Sequence, residues 1–336
     1  MRFALSDEQT ALRDAVRELL SRECTPALVR AAWVQTPEAD PGRVEAVWAK
    51  LAEMGVLGAA APAAAGGLGL AACDVIPLLE EAGRVALPLP LLETAFVAAP
   101  LLAAAGDPYG MLERLIAGEL LVACALDGSA LVPYATGAHV LLLGERDGGP
   151  IRLLAGGESV EPVRSIDGAR ALGRLLDPAA GRLLDVDQSA ASAAWQRGAL
   201  GCAAQLVGLG RALLELSTQY VKERHQFGVA IGSFQAIKHH LADTLIGLEF
   251  AAPAVLRAAW SLDAGAASAG RDVAMAKALA SEAAQRAAAV ALQCHGAIAY
   301  TTEYDLHLFA KRVWASARSW GDADWQRARV GAALGL

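Results

Sequence analysis

The stretch RHQFGVAIGSFQAIKHHLAD, Arg224 to Asp243, differs from the alanine- and leucine-rich sequence around it. Arg224 and Phe227 lie three residues apart, so they share one face if the preceding helix continues through them. The glycines that follow predict a turn, after which Gln235 is expected to begin the next helix. A guanidinium and an aromatic ring beside a turn suit a phosphate with a neighbouring ring system. The alternative is a surface Arg224 paired with Glu223 and a Phe227 buried in a helical core.

A second stretch, LQCHGAIAYTTEYDLHL from Leu292 to Leu308, also carries candidate ligand-binding residues. Gln293 and Gly296 precede a helix whose start is predicted by the run of capping residue types that begins at Thr301. A glycine beside a helix N-terminus lets an anion approach the backbone N–H groups. The alternative is an ordinary helix that ends at a glycine and is joined to the next helix.

Composition excludes several classes of function. The 336 residues are 55% hydrophobic and 19% charged, which predicts that other subunits cover part of the surface. The net charge of −7 argues against nucleic acid or an anionic membrane as the main partner. Five scattered cysteines without a CxxC pair predict neither a disulfide framework nor a metal site, and they fit a reducing cytoplasm.

Targeting and membrane segments are not expected. Asp7 and Glu8 precede any apolar run, so no secretory signal is predicted. The most apolar window, from Leu87 to Gly106, contains three prolines and Glu93, which makes a membrane-spanning helix unfavourable. The sequence therefore predicts a cytoplasmic protein without a membrane span.

The chain is predicted to have three parts. Residues 1–118 are mostly helical, with a capping box at Ser6 and Gln9 and a helix that stops at Gly55. Residues 119–189 contain short apolar runs separated by turn residues, which is typical of a small β domain. Residues 190–336 return to long alanine-rich helices, four or five in number, enough for an antiparallel bundle.

The two quoted stretches, in this order and at this spacing, resemble the acyl-CoA dehydrogenase family. PAAAGGLGL and EEAGRVALPLPLLET in the N-terminal half extend the resemblance, which runs from about Phe3 to Arg327. It implies a mainly α fold with a small β domain: an N-terminal helical domain, a reduced middle β-barrel or sheet, and a C-terminal four-helix bundle assembled around FAD. Family members remove the α and β hydrogens of an acyl-CoA thioester, and an electron-transferring flavoprotein usually accepts the electrons.

The resemblance assigns FAD contacts to five residues of this chain. Arg224 is similar to the family arginine that reaches the FAD pyrophosphate of the neighbouring subunit. Phe227 and Gln235 match positions that touch the adenosine half of that flavin. Gln293 and Gly296 match the segment that contacts the pyrophosphate from across the dimer interface.

The flavin-binding segments also depart from the family pattern. The family has further glycines where this chain has Ala297 and Ala299, which puts the close backbone approach in doubt. The middle domain is short, and most of the segments that hold the flavin ring and the acyl-CoA are missing.

The catalytic base is the sharpest departure, because α-proton abstraction needs a carboxylate beside the flavin. The family takes its glutamate from one of two places, and these positions hold Trp320 and Gly198 here. Asp322 lies close to the first and is a weak candidate for a displaced base, although it also suits the N-terminus of a final helix.

Three hypotheses follow from these features. The first is a subunit of a heterotetrameric acyl-CoA dehydrogenase that lends its FAD contacts to a partner chain with the catalytic glutamate. The second is a homomeric enzyme that uses Asp322. The third is a protein that keeps the fold for assembly or ligand binding without flavin.

Overall fold

The computed structural model describes residues 4–33, 36–146, 148–157 and 159–336. The chain forms two compact units. One comprises Met1–Leu20, Ile76–Leu87 and Cys202–Leu336, and the other comprises Ser21–Val75 and Pro88–Gly201. The sequence-based division at residues 118 and 189 stays a prediction.

The N-terminal third is helical, as predicted. The capping box is confirmed at the start of α1, because the Gln9 N–H donates to Ser6 Oγ at 3.1 Å and the Ser6 N–H donates to Gln9 Oε1 at 2.9 Å. Gly55 follows α3 with φ +75°, as a left-handed helix end requires. The helices are α1 Asp7–Glu23, α2 Pro26–Ala31, α3 Pro41–Glu53, α4 Ala72–Arg84, α5 Ala99–Ala104 and α6 Met111–Ile116, with a π-helical segment Leu92–Ala98 before α5.

The middle of the chain forms two small sheets. The strands are β1 Val122–Ala125, β2 Leu131–Val132, β3 Val140–Leu143, β4 Arg152–Ala155, β5 Val160–Pro162, β6 Gly173–Leu175 and β7 Arg182–Leu183. One sheet has the order β1-β3-β4-β7, with β1 and β3 parallel, and the other is antiparallel with the order β2-β6-β5. Small apolar residues, among them Ala123, Leu141 and Leu175, form their common buried core. The predicted small β region is therefore confirmed.

The C-terminal part is a helical bundle. Its helices are α7 Gln188–Glu223, α8 Gln235–Asp263, α9 Ala269–His295, α10 Leu306–Arg318 and α11 Ala323–Ala333. Helix α9 packs against α8, α10 and α11, and its buried face is mostly alanine. Because the alanine side chain is small, the backbones of neighbouring helices can approach closely. Alanine also has the highest helix propensity. The alanine richness of the sequence therefore reflects bundle packing.

Two bundle helices are long and apolar enough to cross a membrane by length and composition alone. Each has an 18-residue window of mean hydropathy 1.3. The window in α7 is 72% buried inside the protein, as expected of a core helix, and the window in α8 is 33% buried. The burial of α7 supports a soluble protein, and cytoplasmic location stays a prediction.

Candidate functional site

A β-hairpin follows the end of α7 at the first candidate stretch. The Arg224 N–H donates to the Tyr220 carbonyl at 2.8 Å, which closes the helix, and the Arg224 carbonyl accepts from the Ile231 N–H at 2.8 Å. Strands β8 His225–Gln226 and β9 Val229–Ala230 pair in an antiparallel manner between them. The prediction that Arg224 and Phe227 share a helical face is wrong, because a two-residue turn interrupts the helix.

That turn presents Phe227 to solvent. Phe227 and Gly228 occupy it with φ values of +55° and +81°, as a tight hairpin turn with two left-handed residues requires. The ring of Phe227 is 92% exposed, and it meets Phe234 edge-on at 6.2 Å between ring centroids. The alternative of a Phe227 buried in the bundle core is therefore wrong.

The guanidinium of Arg224 is also exposed. It forms no ion pair with any residue that the structure describes, and Glu223 instead accepts a hydrogen bond from Gln219. The alternative pairing of Arg224 with Glu223 is therefore wrong as well. Charged donors and an aromatic face stand side by side on the hairpin, where a ligand has access to both.

Gln235 is the first residue of α8, as predicted, and its side chain is exposed. Beside the hairpin, the end of α7 and the start of α8 form a groove of about 460 Å³. Its lining is mostly apolar, with the ammonium groups of Lys222 and Lys238 as its charged members. The hairpin, the groove and Gln235 together form one continuous stretch of surface on the bundle unit.

The second candidate segment lies at the C-terminal end of α9. Gln293 is exposed on the last turn, and Gly296 ends the helix with φ +63° and ψ −138°, a conformation that favours glycine. The Gly296 N–H donates to the Leu292 carbonyl, and no atom lies within 4 Å of the place where a Cβ would stand. The alternative of a helix that ends at a glycine is confirmed. A 3-10 helix, Gly296–Tyr300, follows, and α10 begins at Leu306 with Asp305, one of the predicted capping residues, at its N-cap, so the N-terminus of α10 does not lie beside Gly296.

Three rings that the sequence did not single out lie beneath these two segments. Tyr220 on α7 stacks on His295, the last residue of α9, at 4.2 Å between ring centroids. The Tyr304 hydroxyl lies 3.3 Å from His295 Nε2. The sequence could have indicated these rings only by their positions. Tyr220 lies one helical turn before Arg224, and His295 directly precedes Gly296.

The buried indole of Trp320 occupies the first of the two positions at which the family resemblance would place the catalytic base. Trp320 is 5% exposed, and it adopts a left-handed conformation with φ +58°. Its carbonyl accepts from Gln326 Nε2 at 2.8 Å, and the next carbonyl, that of Gly321, accepts from the buried ammonium of Lys277 at 3.0 Å. The turn is thus held from both sides by hydrogen bonds.

The other base positions do not present a free carboxylate. Gly198 is buried within α7. Asp322 is the N-cap of α11, where its Oδ1 accepts from the Trp325 N–H at 3.0 Å. This capping bond gives Asp322 the structural role expected at a helix N-terminus.

The family models that match the chain are the N-terminal domain of acyl-CoA dehydrogenase, over residues 6–110, and the C-terminal domain of acyl-CoA dehydrogenase, over residues 189–335. The chain belongs to the acyl-CoA dehydrogenase family. Acyl-CoA dehydrogenase IpdE2 of Mycobacterium tuberculosis is 36% identical over 93% of this chain and 92% of its own length. The structural class of the fold and its oxidoreductase assignment are thereby confirmed.

Two solved structures share the fold over essentially the full length of the chain. The ChsE4-ChsE5 complex of Mycobacterium tuberculosis superposes with a TM-score of 0.86 at 24% identity, covering 100% of this chain and 99% of its counterpart. The Tcur3481-Tcur3483 steroid acyl-CoA dehydrogenase superposes with a TM-score of 0.86 at 27% identity, covering 98% of each chain.

The described residues of this acyl-CoA dehydrogenase chain fit the ADP end of FAD. Arg224 offers exposed charged donors, and Phe227 offers an aromatic ring that is 92% exposed. The open space at Gly296 leaves its backbone accessible to a phosphate. The two positions at which the family resemblance would place a catalytic base hold an indole, in Trp320, and a hydrogen atom, in Gly198, in place of a carboxylate.

Proposed function

We propose that this chain is the non-catalytic subunit of a heteromeric, FAD-dependent acyl-CoA dehydrogenase. In this assignment it contributes Arg224, Phe227, Gln235, Gln293 and Gly296 to the ADP end of a flavin, and a related partner chain supplies the catalytic glutamate. The observation that carries the proposal is the contrast between two sites. The five candidate FAD contacts are all exposed, whereas the position expected for the base is occupied by the buried Trp320.

Each residue has a task that its placement supports. Arg224 would donate forked hydrogen bonds to the pyrophosphate, and the ring of Phe227 would stack beside the adenosine. Gln235 and Gln293 would donate or accept through their amides, and the bare backbone at Gly296 would let the phosphate come close. When bound, FAD supplies a hydride acceptor for the β carbon of the acyl-CoA. The chain itself would take no proton, because Asp322 is engaged as a helix cap.

A solved structure with the same fold supports a heteromer. The Tcur3481-Tcur3483 steroid acyl-CoA dehydrogenase, which is 27% identical to this chain, is named as a pair of proteins. We propose by the same reasoning that the partner is a second acyl-CoA dehydrogenase chain in a heterotetramer. Its substrate would be a fatty or steroid side-chain acyl-CoA thioester, and an electron-transferring flavoprotein would accept the electrons.

Expression of the chain alone and together with a glutamate-bearing dehydrogenase chain tests the proposal. The flavin absorbance of each purified preparation is measured, followed by its bleaching on addition of acyl-CoA. We expect stoichiometric FAD and bleaching only after co-expression. FAD and bleaching in the chain alone would instead establish a homomeric enzyme, and flavin in neither preparation would establish an assembly or binding protein.

Substitution of Arg224 tests the assigned contact directly. Arg224→Ala in the co-expressed complex is expected to weaken FAD binding by about tenfold or more, because charged hydrogen bonds to the pyrophosphate are lost. Arg318→Ala is the matched control, since Arg318 is also exposed and makes no ion pair with a described residue. Equal FAD affinity in the two variants would remove Arg224 from the site.

A further inference from the structure

Three aromatic rings from three separate segments meet beneath the candidate FAD contacts. Tyr220 comes from α7, His295 from the end of α9, and Tyr304 from the segment before α10. The Tyr220 and His295 rings stack at 4.2 Å with 24° between their planes. Tyr304 meets His295 at 5.1 Å and Tyr220 edge-on at 6.0 Å, both measured between ring centroids. His295 is 5% exposed and lies at the buried side of the stack, whereas Tyr220 and Tyr304 are half-buried.

The hydrogen bonds of His295 fix its tautomer. Nδ1 lies 2.8 Å from the Ala291 carbonyl, which only accepts, so Nδ1 carries the proton and donates. Nε2 of the neutral ring is then an acceptor, and the Tyr304 hydroxyl donates to it at 3.3 Å. Burial lowers the pKa of His295, and burial together with nearby Tyr220 raises the pKa of Tyr304. Both groups are therefore neutral near pH 7, as this arrangement requires.

The stack joins the two segments that carry the candidate contacts. The Tyr220 carbonyl accepts the N–H of Arg224, so the first residue of the hairpin is anchored on the residue that carries the stacked ring. His295 directly precedes Gly296 and lies within the same helical turn as Gln293. A shift of the His295 ring therefore displaces both segments relative to each other.

We infer that His295 is a positioning residue for the cofactor. Through its stack on Tyr220 and its hydrogen bond with Tyr304, it sets the separation between Arg224 and the Gln293–Gly296 segment. This inference rests on the proposed function, because it assigns to the stack the alignment of two groups of contacts on one pyrophosphate. His295 itself does not touch the ligand, since its ring is buried.

The test uses the co-expressed complex after removal of its flavin. Tyr304→Phe deletes one hydroxyl and keeps the ring, and His295→Phe keeps the stack and deletes both hydrogen bonds. Tyr300→Phe is the matched control, because the Tyr300 side chain is 79% exposed in the same segment. Two quantities are measured: the dissociation constant for FAD, by flavin fluorescence, and hydrogen–deuterium exchange of residues 224–231 and 293–300.

We expect Tyr304→Phe to weaken FAD binding by about three- to tenfold, the range for the loss of one hydrogen bond. His295→Phe should weaken FAD binding further, and Tyr300→Phe should leave FAD binding unchanged. In the two stack variants, hydrogen–deuterium exchange should accelerate in residues 224–231 and in residues 293–300. Wild-type affinity in both stack variants, with weakened binding in Arg224→Ala, would overturn the inference and leave the proposed function standing. Wild-type affinity in Arg224→Ala as well would overturn both. If His295→Phe does not assemble, Tyr304→Phe alone decides.

Discussion

At the scale of a single residue, Lys277 holds the turn formed by Trp320 and Gly321. Its side chain is fully buried, and Nζ donates to Ser281 Oγ at 2.9 Å, to the Gly321 carbonyl at 3.0 Å and to the Ala317 carbonyl at 3.3 Å. Ala317 lies in the last turn of α10, where a helix leaves carbonyls without intrahelical partners. The ammonium therefore completes the end of α10 and fixes the turn that follows it.

Lys277→Met is expected to lower the free energy of unfolding by about 1–3 kcal/mol, because buried carbonyls lose their donor. Chemical denaturation of the variant and the wild type measures this difference. Lys222→Met on the surface of α7 is the control and should leave the stability unchanged. Equal stability of the two variants would show that the buried ammonium does not hold the turn.

Asp272 predicts a pH dependence of stability. Burial favours its neutral form, but hydrogen bonds from Ser261, Ser268, Arg271 and Arg257 outweigh burial and lower the pKa below the ordinary 3.8. A lowered carboxyl pKa stabilises the folded state above pH 3.8, and this stabilisation is lost as the pH falls through the folded-state pKa.

Asp272→Asn should therefore be less stable than the wild type by a constant amount from pH 7 to about pH 5, and the difference should shrink in more acidic solution. Denaturant titrations across this pH range measure it. A difference that grows on acidification would contradict the lowered pKa.

At the scale of elements, α4 and α7 cross at two glycines. A Cβ on Gly83 of α4 would lie 2.2 Å from the Gln205 carbonyl oxygen, and a Cβ on Gly208 of α7 would lie 2.0 Å from the Glu80 carbonyl oxygen. Side chains at either position would push the two backbones apart. The glycines thus set the distance between the helices, and the Arg84–Glu215 ion pair joins the same two helices nearby.

Gly208→Ala is expected to destabilise the bundle unit by about 1–3 kcal/mol, the range for overpacking a close contact. Gly331→Ala in α11 is the matched control, because no atom lies within 4 Å of its Cβ position. The control should gain about 0.5–1 kcal/mol from better helix propensity. Thermal unfolding of both variants decides, and stabilisation by Gly208→Ala would contradict the close crossing.

Features set by neighbours in the sequence were predictable, and features set by distant packing were not. The capping box at Ser6 and Gln9 and the helix end at Gly55 depend on residues a few positions apart, so the sequence alone predicted them. The turn at Gly228 was predicted, but the hairpin that begins at His225 was not, because the spacing of Arg224 and Phe227 also suits a continued helix. The end of α9 at Gly296 was one of two alternatives that the sequence left open.

In the candidate site, too, some residues could be predicted from the sequence and others depend on tertiary packing. The five proposed FAD contacts and the two positions expected for a catalytic base were assigned from family motifs in the sequence, and these assignments stay predictions. The His295 stack was not, since Tyr220 and His295 lie 75 positions apart and only the packing of α7 against α9 brings them together. The burial of Trp320 is likewise a tertiary property, which depends on α9 and α11.

At the scale of the whole molecule, α8 carries an apolar face that the chain does not cover. Phe250 is 73% exposed and Ile246 is 53% exposed, and with Leu279 of α9 they line a groove of about 420 Å³. Apolar side chains clustered in this way are typical of an interface with another chain. We expect this face to be buried against another subunit, as the apolar composition of the sequence also predicts.

Phe250→Glu is expected to reduce the assembly from a tetramer to smaller species, because a carboxylate would be desolvated at the contact. Light scattering coupled to size-exclusion chromatography of the co-expressed complex measures the mass. Leu176→Glu is the control, since Leu176 is also exposed but lies in the other unit. An unchanged mass for Phe250→Glu would remove α8 from the interface.

The exposed ring of Phe227 has a consequence for the life of the chain in the cell. A subunit that waits for its partner displays this aromatic ring and the apolar residues of α8, which are the features that chaperones and proteases recognise on unassembled proteins. In the proposed heteromer, synthesis of this chain in excess of its partner would therefore lead to degradation of the surplus, and the abundance of the chain would follow the supply of the partner.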